Sequence, residues 1–417
     1  MKGAAKARGE KRYIGLDVHK RYVSVGGMNV KQEVVLRPRD VMMERFRVWA
    51  ERNLRSSDEV VLEATTNTWD IYDTVAPLVA RVVVAHPAEV KQIANARVKT
   101  DKQDVIRLIR LLIADMVPEV WVPPVEVRQL RALISYRWRL VKTSTMIQNR
   151  LHSLLHRHNI AAPEGRIHTE ANLEWWQKLS LSALEDLRLR QELELLKQVR
   201  ANIKEVETEL GRLSTSERWA SQAVYLMQVP GVGIVITMTI LSAIGDIQRF
   251  ENPKKLVGYA GLGAGVHDSG QKHREKGLTK SGRKELRWAM IEAGWQAIRS
   301  NSHWRAEYDR LCQNKHPNQA VAAIARKLLV TLWYVLSEKQ AYKYSSEEDL
   351  AYKMLSWAWH IDKEALNGMS RQQFAKYGLI HLGKGKQLTR IVRGGRPRRI
   401  APLEEVLALK PELKHPQ

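Results

Sequence analysis

The chain has 417 residues, enough for two or three domains with cores of their own. Its 68 Lys and Arg against 45 Asp and Glu give a formal charge of +23, which points to a polyanionic partner, nucleic acid before acidic membrane. A single cysteine, Cys312, excludes an intramolecular disulfide and a multi-cysteine zinc site; with no 18-residue apolar run, no amphipathic terminal anchor and no apolar signal region at the start, the reducing cytoplasm is the expected compartment.

Residues 12–117 read as α/β. Tyr13–Val18 and Arg21–Met28 pattern as a strand hairpin, Val34–Leu36 as a short third strand, and Val41–Asn53 as a helix. Val60–Ala64 is a fourth strand, Thr68–Ala80 a helix, Arg81–Ala85 a fifth strand, and Ala88–Ala114 is helical throughout. Three meandering strands, then alternating helix and strand, then a helix bearing acids suit an RNase H-like sheet. A doubly wound nucleotide fold is the alternative, but the Gly-rich turn after its first strand is missing.

Four acids stand out in this region. Asp17 and Glu63 interrupt or end apolar strands, where an uncompensated buried polar group costs roughly 2–7 kcal/mol. Asp101 and Asp104 are three apart at the start of a helical pattern and so share a face. Each acid alone has an ordinary reading, as a helix N-terminal charge, a solvated side chain or an ion-pair partner. Together, in a basic chain, they suggest divalent cations working on phosphates, with two ions clamping the attacking and leaving oxygens.

Pro118, Pro123 and Pro124 mark a linker into a helical region, 125–215. Glu126–His158 is basic, carrying Arg128, Arg131, Arg137, Arg139, Lys142 and Arg150. In Leu184–Leu213 the residues Leu196, Val199, Ile203, Val206, Leu210 and Leu213 form a heptad seam, which serves either an intramolecular helical hairpin or a coiled coil between subunits.

A third region spans 221–345. Val229-Pro-Gly-Val-Gly followed by apolar helix resembles a helix-hairpin-helix, with Gly231 and Gly233 exposing backbone N–H groups to a phosphate; an ordinary glycine turn between core helices is the other reading. Tyr259–Gly277 is Gly-rich and expected to be a loop, Lys280–Arg299 a helix, and 303–344 helical. Lys272, Arg274, Lys276, Lys280, Arg283, Lys284 and Arg287 make this stretch a nucleic-acid-binding candidate. Ser269 before glycine in the basic loop reads as a turn residue, a phosphate ligand or a nucleophile. In the extension, 346–417, the run Gly383–Arg399 holds seven basic residues and no acid, and is expected to stay out of the core and to order on nucleic acid.

The motifs Ile14-Gly-Leu-Asp-Val-His-Lys, Val61-Leu-Glu-Ala, Lys99-Thr-Asp-Lys-Gln-Asp, Val229-Pro-Gly-Val-Gly, Tyr259-Ala-Gly-Leu, Ser269-Gly and Lys276-Gly-Leu-Thr-Lys-Ser-Gly-Arg-Lys-Glu-Leu-Arg, in this order, resemble the IS110 family of transposases. The resemblance implies a RuvC-like DEDD nuclease domain in which Asp17, Glu63, Asp101 and Asp104 hold two Mg²⁺ ions, and a C-terminal transposase domain whose serine maps to Ser269. It further implies a covalent phosphoserine link to DNA, a composite site built by two subunits of a dimer or tetramer, and a structured bridge RNA that selects donor and target. The sequence departs from the family in lacking proline soon after Tyr259-Ala-Gly-Leu. A hydrolytic junction nuclease without serine covalency, and a non-enzymatic nucleic-acid scaffold, are the competing functions.

Overall fold

The computed structural model describes residues 11–93, 101–165, 167–169, 172–269 and 272–410; within these, the side chains of residues 173, 266–269 and 272–276 lie outside the description. Contacts divide the chain at Pro123/Pro124 into two compact units.

The first unit is built from β1 (Arg12–Val18), β2 (Tyr22–Asn29), β3 (Val34–Met42), α1 (Met43–Asn53), β4 (Glu59–Glu63), α2 (Thr68–Val75), β5 (Arg81–Ala85), α3 (Pro87–Ile93) and α4 (Asp101–Ile113). The five strands form one sheet in the order β3-β2-β1-β4-β5, antiparallel from β1 to β3 and parallel from β1 through β4 to β5. This agrees with the element order that the sequence pattern anticipates. Two boundaries differ. The third strand runs on to Met42, because Val41 and Met42 pair with Val23 and Tyr22, so the following helix starts at Met43. Of the long helical pattern, Pro87–Ile93 and Asp101–Ile113 are helical, and residues 94–100 lie outside the described residues.

Period-two alternation sorts the sheet into two faces. Ile14, Leu16, Val18, Val60, Leu62 and Val84 pack with Phe46 and Trp49 of α1 and Ile71 and Val75 of α2. Val61, Val83 and Ala85 pack on the other face against Leu108, Leu111 and Leu112 of α4. A buried ion pair closes the lower edge: Arg12 donates to both oxygens of Asp58, at 2.9 and 2.6 Å, and to the Asn53 carbonyl at 2.8 Å.

The second unit is mainly helical: α5 (Val125–Arg157), α6 (Leu173–Gln177), α7 (Ala183–Ser214), α8 (Ala220–Met227), α9 (Ile234–Ile244), α10 (Pro253–Ala260), a hairpin of β6 (Ala264–Ser269) and β7 (Lys272–Leu278), α11 (Lys284–Ser300), α12 (Ser302–Cys312), α13 (Pro317–Ser337), α14 (Glu347–Trp359), α15 (Arg371–His381), a hairpin of β8 (Arg390–Arg393) and β9 (Arg396–Arg399), and α16 (Leu403–Leu409). The pairs Arg137–Glu207, Arg150–Glu192 and Arg157–Glu185 show that α5 and α7 run antiparallel, since one number rises as the other falls. Leu196, Val199, Val206 and Leu210 of the heptad seam are buried in this unit, Ile203 and Leu213 half-buried. The seam is therefore covered within the chain.

Three expectations are corrected here. Tyr259–Gly277 is not all loop: α10 ends at Ala260, and Ala264–Ser269 pairs antiparallel with Lys272–Leu278. The run Gly383–Arg399 folds, because the fully buried Lys376 ammonium donates to the carbonyls of Gly385, Lys386 and Leu388 at 2.7–2.9 Å, and Ile391 enters the core. Finally, α13 contains an 18-residue window apolar enough to pass for a membrane span, interrupted by Arg326 and Lys327; half of that window is buried inside this unit, as in the core helix of a folded domain.

The turn between α8 and α9 explains Gly231. Its φ is +80°, and a Cβ there would lie 2.1 Å from the Ala293 carbonyl oxygen of α11. Neither the backbone conformation nor the space admits a side chain. Gly231→Ala is expected to destabilise the protein by about 2–4 kcal/mol, read as a drop in the urea midpoint at unchanged m-value. A variant as stable as the parent would show that the turn has room to shift.

Candidate active site

Asp17 and Glu63 lie where β1 and β4 end, and of the four acids it is Asp17 and Asp101 that the structure brings within metal-binding distance of each other. The last ladder pair between these parallel strands is Leu16↔Leu62, so Asp17 and Glu63 are the next residues on each. By alternation both belong to the face that carries α4. Glycine lets α4 come close: Cβ atoms at Gly15 and Gly26 would lie 2.7 Å from the Val105 carbonyl oxygen and 2.9 Å from Val105 Cγ1. That approach places the first turn of α4, with Asp101 and Asp104, over the sheet edge.

Two residues that the sequence reading does not assign join this cluster. His19 Nε2 lies 3.1 Å from Asp17 Oδ2 and 3.4 Å from Asp101 Oδ2. Tyr22 Oη donates to Asp101 Oδ2 at 2.8 Å, and its ring lies 4.6 Å from that of His19. The signal was in the chain: Asp17 and His19 are two apart, the spacing that keeps neighbours on one side of extended backbone. Ligand atoms of Asp17, His19 and Asp101 all lie within 4.8 Å of one another. Asp104 faces Arg107 at 3.0 Å, one helical turn on.

This donor set suits a small divalent cation. Carboxylate oxygens are hard ligands, and a cation such as Mg²⁺ uses one or two of them and completes its shell with water and phosphate oxygens. The electrostatics agree. Burial raises the Asp17 carboxyl above its ordinary range; the charges of Asp101 and Asp104 push the same way, while His19 opposes them. A cation among these groups relieves the repulsion.

Of the other candidate residues, Ser269 ends β6, with its backbone opposite Lys272 of β7, in the second unit. The side chains of Ser269, Lys272, Arg274 and Lys276 lie outside the described residues. Arg287 donates to the carbonyls of Ala260 and Lys280 at 3.2 and 3.1 Å, which pins the base of the hairpin. Lys280 is exposed in the turn before α11, at φ +55°. Arg283 precedes α11, and its backbone N–H is bound to the Tyr259 carbonyl at 2.8 Å. The Lys284 ammonium lies 6.0 Å from the centre of the Trp138 ring. Gly231 is held by packing, as above, whereas Gly233 caps α9 with open space around it.

Two family models match this chain: one described as a DEDD transposase of the IS110 type over residues 14–160, which holds all four acids, and "Transposase IS116/IS110/IS902 family" over residues 223–309, which holds Ser269. The chain belongs to the IS110 family of transposases. It is similar to a putative transposase, y4qE, of Sinorhizobium fredii, at 25% identity over 73% of this chain and 75% of that one. The transposase for insertion sequence element IS1111A of Coxiella burnetii is 24% identical over 68% of this chain and 79% of its own. The pilin gene-inverting protein of Moraxella bovis is 24% identical over 80% of this chain and 98% of its own. Members of this family are DNA-processing enzymes, and a DEDD-type domain implies use of a divalent metal.

Divalent cation is expected to raise the thermal midpoint of the parent protein, by about 2.7 kcal/mol of stabilisation at a hundredfold excess over Kd. Asp17→Asn is expected to abolish that shift while leaving the cation-free protein at least as stable, since it removes one of the facing carboxylates. Scanning fluorimetry with and without Mg²⁺ or Mn²⁺ checks both. Gly15→Ala is expected to lose the same shift by pushing α4 off the sheet, with about 1–3 kcal/mol of destabilisation in denaturant titration; a normal cation response in this variant would show that the glycine contact does not set the site.

Proposed function

We propose that this transposase cuts and rejoins the ends of an insertion sequence through a covalent phosphoserine intermediate at Ser269, with Asp17, Glu63, Asp101 and Asp104 holding Mg²⁺. The observation that carries the reading is the convergence of Asp17, Asp101 and His19 at one sheet edge, with Asp104 one turn along the same helix. Bound divalent ions would supply charge stabilisation on the scissile phosphate and the leaving oxygen. In the reaction, Ser269 Oγ forms a bond to phosphorus as the bond to the 3′ oxygen breaks; the serine loses its proton and the departing 3′ oxygen gains one. The phosphodiester energy stays in the new link, so attack by another 3′ hydroxyl rejoins DNA without ATP.

The reading includes a homo-oligomer and a structured element-encoded RNA that selects the DNA. The net charge of +23 supports more than one nucleic-acid partner. Sequence choice then comes from pairing, with the protein reading duplex shape and backbone. The regions 125–215, 221–345 and 346–417 are proposed as its helical, serine-bearing and basic parts.

The test incubates protein with Mg²⁺, the element's labelled ends and its transcript, followed by denaturing gel electrophoresis. A labelled protein–DNA adduct is expected, lost in Ser269→Ala and in Asp17→Asn, and lost when the RNA is omitted. Cleavage without adduct, unaffected by Ser269→Ala, would replace this reading with the hydrolytic nuclease.

A further inference from the structure

Apart from the acidic site, the second unit carries a cavity of about 850 Å³ between α7 and the segment preceding it, inside the ~300–1,000 Å³ range of small-ligand sites. Its α7 wall presents four cations, Arg190, Lys197, Arg200 and Lys204, against one carboxylate, Glu194. Arg190 is paired with Asp186, and Arg200 donates to the His168 carbonyl. Lys197 and Lys204 are exposed and have no ion-pair partner among the described residues. Two unpaired ammonium groups at the mouth of a cavity call for an anion.

The opposite wall is aromatic and carries an unmet demand. His168 lines the cavity at 9% exposure, and neither of its ring nitrogens has a hydrogen-bond partner. A buried polar group left unpaired has given up its water with nothing in return. The ring stacks on Trp176, with centroids 5.6 Å apart and planes 14° apart, and Trp176 is itself fixed by donating to the Ile167 carbonyl at 2.9 Å. Burial, then the charges of His152 and Arg200, push the His168 pKa down to about 4. At neutral pH the ring is therefore uncharged and offers one donor and one acceptor. That is the complement of a nucleobase edge, which also presents donors beside acceptors.

We propose that this cavity takes one unstacked nucleotide of a single-stranded nucleic acid, its base edge on His168 beside Trp176 and its phosphate on Lys197 and Lys204. An inorganic anion held by the two lysines alone would leave the imidazole unpaired. Splayed bases read by side-chain hydrogen bonds and aromatic rings, with lysines along the backbone, are how single strands are held in general. This inference is independent of the chemistry assigned to Asp17 and Ser269.

The test uses the full chain and short oligonucleotides carrying a photoreactive iodouracil, as RNA and as DNA, with an abasic oligonucleotide of the same length as control. A crosslink is expected on the peptide that contains His168 or Trp176, competed by free mononucleotide. Lys197→Ala/Lys204→Ala, a change of two exposed side chains, is expected to weaken binding about tenfold and to lower the salt-dependence slope by about 0.7, the share of one phosphate on a single strand. His168→Phe, which keeps a packed ring, is expected to retain the slope but lose the preference for a base over an abasic site. RNA-only or DNA-only crosslinking at this peptide would each support the site and name its source. Crosslinks elsewhere alone, an unchanged double variant, or equal binding of the abasic strand would overturn it.

Discussion

The close seat of α4 on Gly15 and Gly26 is the contact on which the acidic centre depends. With any larger residue at Gly15, the Val105 carbonyl would have to retreat, and the first turn of the helix would retreat with it. Glycine is tolerated inside a strand only at an entropic cost, so its place at the middle of a central strand is best explained by what it lets approach. The same contact sets up a conflict. It lowers Asp101 and Asp104 onto Asp17, in surroundings dry enough to raise the Asp17 pKa. His19, Tyr22 and Arg107 offset part of the repulsion, each through one contact to one carboxylate oxygen or two. The site is thus folded by apolar packing against its own electrostatics, and the remaining imbalance is the driving force for taking up a cation.

The cations tell a different story from the acids. By composition the chain is strongly basic throughout, and every Lys and Arg looks available to a phosphate. In the second unit several are not. Arg131 donates to the carbonyls of Ser242 and Ala243, Arg249 to those of Ile244 and Ala243, and Lys353 to those of Val229 and Val232. With Lys376 and Arg287 they close helix ends and turns whose carbonyls would otherwise go unmet. Burial lowers the pKa of Arg131 to about 10 and of Lys353 to about 7, the mark of groups turned inward onto carbonyls rather than kept for a phosphate. The charge open to a polyanion is the exposed remainder, such as Lys197, Lys204, and Arg390 and Arg396 of the β8–β9 hairpin, whereas Arg393 and Arg399 are paired with Asp349 and Glu405.

How far the sequence was legible follows from what each segment is made of. The first unit was readable because its strands are short apolar runs, such as Val-Val-Leu in β4 and Val-Val-Val in β5, and acids inside such runs are conspicuous. His19 and Tyr22 were not, since their role depends on a helix about eighty residues later arriving beside them. The β6–β7 hairpin escaped because its strands are charged and glycine-bearing, and their pairing lies in backbone hydrogen bonds that leave no apolar alternation. The basic tail was misread for a related reason. Its few apolar anchors, Ile391 and Ile400, are diluted among arginines, and the decisive pin, Lys376, sits outside the run and is itself charged.

The two candidate centres are held in contrasting ways, and the contrast suits the chemistry proposed. The acids sit at strand ends and on a helix clamped to them, so their geometry is fixed by a packed core, as a metal site requires. Ser269 stands at the far end of a two-stranded ribbon whose base is fixed by Arg287 and by the Thr279 and Arg283 backbone N–H groups on Gly263 and Tyr259. A two-stranded ribbon has little stability of its own, and this one depends on a base that α10 and α11 hold in place. A nucleophile that must meet a phosphate, remain bonded to it through strand exchange and then release it is better carried on such a ribbon than inside a core. A metal-binding carboxylate, by contrast, loses affinity with every increment of freedom it is given.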